Sequence, residues 1–207
     1  MNTIYLIRHS KTLKVSNLFN NESLQFQNEK KSLSIEGEKI AKDKLSNKEF
    51  ENIDAIYSSN YVRAIQTSKY LAINNNLEIY VVSDLGERKF GIDSWDELPN
   101  DFERKQFLNE CYKIGDGESQ IEVKNRMYNF ILKILNECKS KKIAMVSHGT
   151  AILYLLMKWC NVDLVNDIFR IIFDGKIIFE GNLDYCETFK LEFDDNNKLI
   201  NIENIKF

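Results

Sequence analysis

The chain has 207 residues, of which 43% are hydrophobic and 29% charged, the make-up of one soluble globular domain rather than of a fibrous or disordered chain. A net charge of −3 lacks the basic footprint of a nucleic-acid binder, so no nucleic-acid partner is expected, and an anionic ligand would need local positive charge. No apolar run approaches the roughly 20 residues needed to cross a bilayer, so no membrane partner is expected either. The four cysteines, Cys111, Cys138, Cys160 and Cys186, have no CxxC spacing and read as reduced thiols of a cytoplasmic protein. A strand that begins near Thr3 leaves no room for a signal peptide.

Thr3 to Arg8 reads as a buried strand. Residues 10–32 read as a polar loop carrying Asn17, Asn20, Asn21 and Asn28. Ser34 can cap a helix with Gly37 and Glu38 in its first turn and a weak stripe of Ile35, Ile40, Ala41 and Leu45. Ile53 to Tyr57 is a second strand, Ser59 or Asn60 caps a helix through Ala72, and Leu77 to Val82 is a third strand. The segment from Asp84 to Asp116 is rich in polar and aromatic residues and holds the only proline, Pro99. Glu118 to Cys138 reads as a long helix, because Ile121, Val123, Met127, Phe130, Ile131, Ile134 and Leu135 lie mostly at helical spacing. Lys142 to Ser147 is a fourth strand and Thr150 to Cys160 a helix.

The tail is β-like. Ile171 to Phe173, Asp174-Gly175 and Lys176 to Ile178 carry a type I′ hairpin signal. Phe189 to Phe193 alternates, and Asp194 to Lys198 turns into a last strand. The apolar hairpin 171–179 offers either an interface between copies, as in a homo-oligomer, or an edge strand. Strands alternating with helices imply a mostly parallel sheet covered on both faces. The expected fold is α/β, a three-layer α/β/α sandwich in a single domain over 1–207, with the late strands at an edge.

The chain uses histidine only twice, and each histidine closes an apolar strand: His9 follows Ile4 to Arg8, and His148 follows Ile143 to Ser147. Carboxyl ends of parallel strands face the crevice where open α/β sheets bind ligands. Arg8, at the end of a buried strand, needs an anion, which is either a structural carboxylate or a phosphate that its guanidinium can grip bidentately. Arg63 falls in a first helical turn, where a cation opposes the helix dipole by roughly 0.3–1 kcal/mol unless it leans into solvent or a bound anion reverses the sign. Gly149 lets the backbone turn sharply from strand into helix after His148. Glu87, in Leu85-Gly86-Glu87, would lie at the same sheet edge, as an acid or as a solvated loop residue.

Two arginines, two histidines and a glutamate thus follow different strands and converge. Phosphoryl transfer asks for that set: a nucleophile, positive charge on the equatorial oxygens and an acid for the leaving group. No P-loop stretch, HExxH or paired CxxC occurs. A metal held by His9, His148 and a carboxylate would be repelled by the arginines, so neither metal nor cofactor is expected.

These residues resemble the histidine phosphatase superfamily, the phosphoglycerate-mutase-like fold. The carriers, in the family's order over about residues 3–152, are Arg8-His9-Ser10-Lys11-Thr12, Leu33-Ser34-Ile35-Glu36-Gly37-Glu38, Ser58-Ser59 with Arg63-Ala64 and Gln66-Thr67, Leu85-Gly86-Glu87 with Phe90-Gly91, Gly117-Glu118-Ser119, and Ser147-His148-Gly149. The resemblance implies that His9 takes the phosphoryl group as a phosphohistidine, that Arg8, Arg63 and His148 form the phosphate pocket, and that Glu87 is the general acid and base. It implies hydrolysis by water with no metal, and activity that falls as His9 protonates. Where the family has glycine after the nucleophile, this chain has Ser10, whose side chain would crowd the pocket or add a hydroxyl near the phosphate. With Lys11 and Gly149 it joins the candidate substrate-binding residues.

Phosphatases and mutases of this family share the phosphohistidine. The mutases it resembles carry a tryptophan-asparagine pair after the first motif and a longer, more basic insertion. Here Leu13 to Asn17 has no tryptophan, and the 92–117 insertion, a small helical cap, is short and leans acidic. A phosphomonoester hydrolase acting on a small phosphorylated metabolite is the expected activity. A mutase and a non-catalytic binder of phosphorylated ligands stay open, although Glu87 has no purpose in mere binding. Trp95, Phe102, Phe107 and Tyr112 are expected to pack the cap over the pocket.

Overall fold

The computed structural model describes residues 1–15, 22–166 and 168–207. Its chain order is β1 (Asn2–Arg8), α1 (Leu24–Lys30), α2 (Ile35–Leu45), β2 (Ala55–Ser58), α3 (Val62–Asn75), β3 (Ile79–Val81), α4 (Phe102–Leu108), α5 (Gln120–Glu137), β4 (Lys142–Ser147), α6 (Gly149–Leu156), β5 (Asn161–Val165), β6 (Ile168–Phe173), β7 (Lys176–Gly181), β8 (Thr188–Phe193) and β9 (Leu199–Ile205). The main sheet runs β3-β2-β4-β1-β8-β9. β1 to β4 are parallel, while β8 and β9 pair antiparallel at one edge.

Both faces of the sheet are covered, and the strand period sorts the residues between them. Ile4, Leu6, Ile143 and Met145 join the core that contains Val123, Met127 and Ile131 of α5 and Leu153 and Leu156 of α6. Tyr5, Ile7, Ala144 and Val146 face the other way, onto Leu45 of α2 and Ala64 and Leu71 of α3. This is the expected three-layer sandwich.

The parallel register of β1 on β4 sets Arg8 beside Ser147. His9 and His148 are the next residues on each strand, so the register alone brings the two imidazoles to the same edge.

The tail departs from expectation. Only β8 and β9 extend the sheet; the 171–179 hairpin instead joins β5 in a separate antiparallel sheet, β5-β6-β7. Its turn is as expected, with Asp174 and Gly175 both at positive φ, 47° and 74°. β5 had no sequence signal: its residues alternate only between exposed and half-buried.

Helix starts also moved. Residues 24–30 of the expected loop form α1, capped by Ser23; Asn17, Asn20 and Asn21 lie outside the described residues. α3 starts after Tyr61, which makes no side-chain cap; the Ser59 hydroxyl accepts the Tyr61 N–H just before the helix and also meets His148 Nε2. Ser119 is the N-cap of α5, in a reciprocal capping box with Glu122.

Gly37, in the first turn of α2, lies against the loop that follows His9. A Cβ there would lie 2.0 Å from the Lys11 carbonyl oxygen, a backbone atom that cannot rotate away. Gly37→Ala is expected to destabilise the fold by about 1–3 kcal/mol through this overlap, read as a lower urea midpoint.

Candidate active site

His9 leaves β1 with its ring buried. Its Nδ1 lies 2.7 Å from the Ser10 carbonyl oxygen, which can only accept, so Nδ1 carries the proton and Nε2 keeps a lone pair. Arg63 Nε donates to that Nε2 at 3.1 Å. Burial pushes the His9 pKa well below 6.5, and the Arg63 and Arg8 charges push the same way. The ring is a neutral base with its lone pair presented on one side.

His148 stands edge-on to it, with centroids 5.1 Å apart. Its Nε2 is 2.8 Å from Ser59 Oγ, which already accepts the Tyr61 N–H. The Ser59 hydrogen is therefore free to go to Nε2, an assignment that leaves the proton on Nδ1, a buried donor with no partner among the described residues. Burial again holds this imidazole well below 6.5, followed by the Arg63 charge.

The arginines lack carboxylate partners. Arg63 is buried, its Nη1 donating to the Asn28 carbonyl at 2.6 Å and its guanidinium lying 4.6 Å from the Tyr61 ring. It does not lean into solvent. Arg8 donates from Nη1 to the Leu183 carbonyl and lies over the Tyr185 ring, and its Nε is buried with no partner. No salt bridge reaches either guanidinium among the described residues, so the structural-carboxylate alternative for Arg8 falls away. Gly149 makes room for it, since a Cβ there would come within 3.3 Å of Arg8 Nε.

Glu87 follows the short 3₁₀ turn after β3. Its Oε1 accepts from the Arg88 N–H at 3.0 Å and the Ala151 N–H at 3.1 Å, so the carboxylate rests on the first turn of α6, where the helix dipole favours negative charge. Arg126 fixes the loop behind it, donating to the Asp84 carbonyl at 2.7 Å and the Glu87 carbonyl at 3.2 Å while paired with Glu118.

Two expectations need correction. The Ser10 hydroxyl neither crowds the pocket nor faces a phosphate: it is fully buried and donates to the Gly37 carbonyl at 2.7 Å, while the Ser10 N–H goes to Thr67 Oγ1 at 3.0 Å. The Lys11 ammonium is tied to Glu36 on an exposed groove, not offered to the histidines. Sequence reasoning also passed over Asn28, Arg126 and Arg88. Arg88, though buried, bonds Tyr154 on α6 and Glu103 on α4, pinning the cap segment. No local pattern marks these, because each acts across elements distant in the chain. Among the described residues, no three His, Cys, Asp or Glu side chains gather as a metal site, and no helix is long and apolar enough to cross a membrane.

The model of the histidine phosphatase superfamily (branch 1) matches residues 4–175, and the chain belongs to this family. No curated protein matches it by sequence. Among solved structures, a phosphoserine phosphatase from Entamoeba histolytica in complex with 3-phosphoglyceric acid is 20% identical, with 100% of this chain and 98% of that one covered and a TM-score of 0.67. A mycobacterial glucosyl-3-phosphoglycerate phosphatase with inorganic phosphate is 16% identical, with 99% and 96% covered and a TM-score of 0.69. At these identities the likeness is one of fold.

Because both imidazoles have depressed pKa values, the folded protein binds fewer protons than the unfolded chain as pH falls through 6.5. Stability must then fall with acidification in that window, before the carboxylates begin to titrate. Urea midpoints at pH 7.5 and 5.5 without phosphate are expected to show the loss, and imidazole resonances are expected to stay in the neutral form at pH 6.

Proposed function

We propose that this protein is a phosphomonoester hydrolase that works through a phosphohistidine on a small phosphorylated metabolite. The observation that carries the reading is the His9 Nε2 lone pair, set by the Nδ1 bond to the Ser10 carbonyl and met by the Arg63 guanidinium, which has no salt bridge among the described residues. The names of the structural neighbours, phosphatases of phosphoserine and of glucosyl-3-phosphoglycerate, support the same class.

In the first step Nε2 attacks phosphorus and the ester P–O bond breaks. Glu87, in its acid form, gives its proton to the departing oxygen. Arg8, Arg63 and the His148 Nδ1–H take the charge on the phosphoryl oxygens; as Arg63 turns its Nε–H from His9 Nε2 to a phosphoryl oxygen, the electron pair of the neutral imidazole is freed for attack. In the second step water attacks the phosphohistidine, Glu87 takes a water proton, the P–N bond breaks, and inorganic phosphate leaves with Nε2 restored. No step draws on a metal, and we infer a protein that acts inside the cell.

Hydrolysis of p-nitrophenyl phosphate in EDTA is expected for the wild type and should vanish in His9→Ala; residual turnover above a few per cent would remove His9 as nucleophile. Glu87→Gln is expected to slow an alkyl phosphate by roughly 10²–10⁴-fold and p-nitrophenyl phosphate far less, since a good leaving group needs no proton. Equal losses on the two substrates would count against the acid role.

A further inference from the structure

A cavity of about 470 Å³ opens beside the phosphate site, with Arg8 and Gly149 at its inner end. Its walls come from separate parts of the chain: Phe107 on α4, Leu153 on α6, Leu164 on β5, Phe169 on β6, and Leu183 in the loop after β7. Phe107 and Phe169 meet with centroids 5.9 Å apart, so the cap segment and the small β5-β6-β7 sheet close on each other over the cavity. The volume lies in the range of small-molecule pockets, roughly 300–1,000 Å³.

Arg8 joins the two regions. Its guanidinium is tied to the carbonyl of Leu183, a wall residue, and its Nε has no partner among the described residues. A phosphoryl group held there has its ester oxygen within reach of this cavity, so the occupant argued for is the leaving group itself. The wall then decides what that group is. Of the polar groups in the lining, Glu103 is engaged by Arg88 and the Tyr154 hydroxyl by Gln106, while Arg104 and Asn182 are exposed, so a polyol or a charged amino-acid side chain would lose water against Phe107, Leu164 and Phe169 with few fixed partners in return. A ring loses little and stacks or packs edge-on against the two phenyl groups.

We propose that this cavity binds the leaving group and selects phosphomonoesters of apolar, ring-bearing alcohols; the proposal rests on the hydrolase reading above for its substrate, but not for its binding. The small sheet after α6 supplies Leu164 and Phe169 to the wall, which gives that sheet a role in specificity.

Phosphonates test binding apart from turnover, because their C–P bond is not hydrolysed. Calorimetry on the wild-type protein is expected to show benzylphosphonate binding about tenfold or more tighter than methylphosphonate, the scale of burying one ring. Phe169→Ala should collapse most of that ratio, and Phe107→Ala serves if the first variant does not fold. Benzyl and methyl phosphate, whose alcohols are of similar acidity and both need the Glu87 proton to leave, should show the same preference in kcat/KM. Equal wild-type affinities for the two phosphonates, or a ratio unchanged in both variants, would overturn the pocket. A strong binding preference with neither ester hydrolysed would keep the pocket and remove the hydrolase reading.

Discussion

Positive charge without a protein counter-charge is the constraint on which this site depends. Arg63 is buried and Arg8 half-buried, and neither forms a salt bridge among the described residues. Burying a guanidinium is costly unless its hydrogen bonds and charge are answered. Backbone carbonyls of Asn28 and Leu183 answer part of the hydrogen bonding, and the Tyr61 and Tyr185 rings give cation–π contact. The net charge is left over. Glu87 offsets Arg63 at a distance, yet its carboxylate is held by the amide groups of Arg88 and Ala151 rather than drawn into an ion pair. The same excess charge, on top of burial, keeps both imidazoles neutral. A dianionic phosphate answers all of these at once, which is why the residues make more sense as a binding surface than as structure.

The arrangement is rigid because backbone atoms set it. The β1–β4 register aligns the histidines, the Ser10 carbonyl selects the tautomer of His9, and the α6 amides hold Glu87. Ser10 shows how tightly the rear of the site is packed. Its hydroxyl reaches the Gly37 carbonyl, on the one residue of α2 that lets the helix approach the Lys11 backbone so closely. A side chain at this position is tolerated because a carbonyl behind the loop receives it, away from the phosphate face.

Much of this was legible in the sequence, for a physical reason. His9, Arg8, His148, Arg63 and Glu87 all sit at or just beyond strand ends, and strands buried on both faces announce themselves as continuous apolar runs. The parallel sheet then dictates convergence. What stayed hidden was side-chain direction and cross-element bonding. Nothing in Ser10-Lys11 says that one side chain turns to Gly37 and the other to Glu36. Ser59 had the chemistry of a helix cap, and its hydroxyl, while accepting the Tyr61 N–H ahead of α3, is also taken up by His148 across the sheet. β5 stayed hidden because a half-exposed strand in a small sheet buries too little to leave a clear alternation.

The division has a consequence for specificity. The reacting groups are carried by the sheet, whose fold persists in structures only 16% and 20% identical to this chain over nearly their whole lengths. The walls of the adjoining cavity are carried by α4, by the small sheet and by the loop at Leu183, elements that the main sheet does not require. Their residues pack on one another through contacts such as Phe107 on Phe169, while Arg88 fastens the cap to α6 through Tyr154 and Glu103. Change in α4 or in the small sheet alters the cavity wall without touching His9 or His148, whereas the loop at Leu183 also holds Arg8. Conversely, a change at Gly37 reaches the loop after His9 directly, because no side chain fits so close to the Lys11 carbonyl, and one at Gly149 would press on the Arg8 guanidinium, which must give by a few tenths of an ångström. The two histidines are thus set apart from the cavity wall, and Arg8, which lines the cavity and ends the strand that leads into His9, is the point where the two meet.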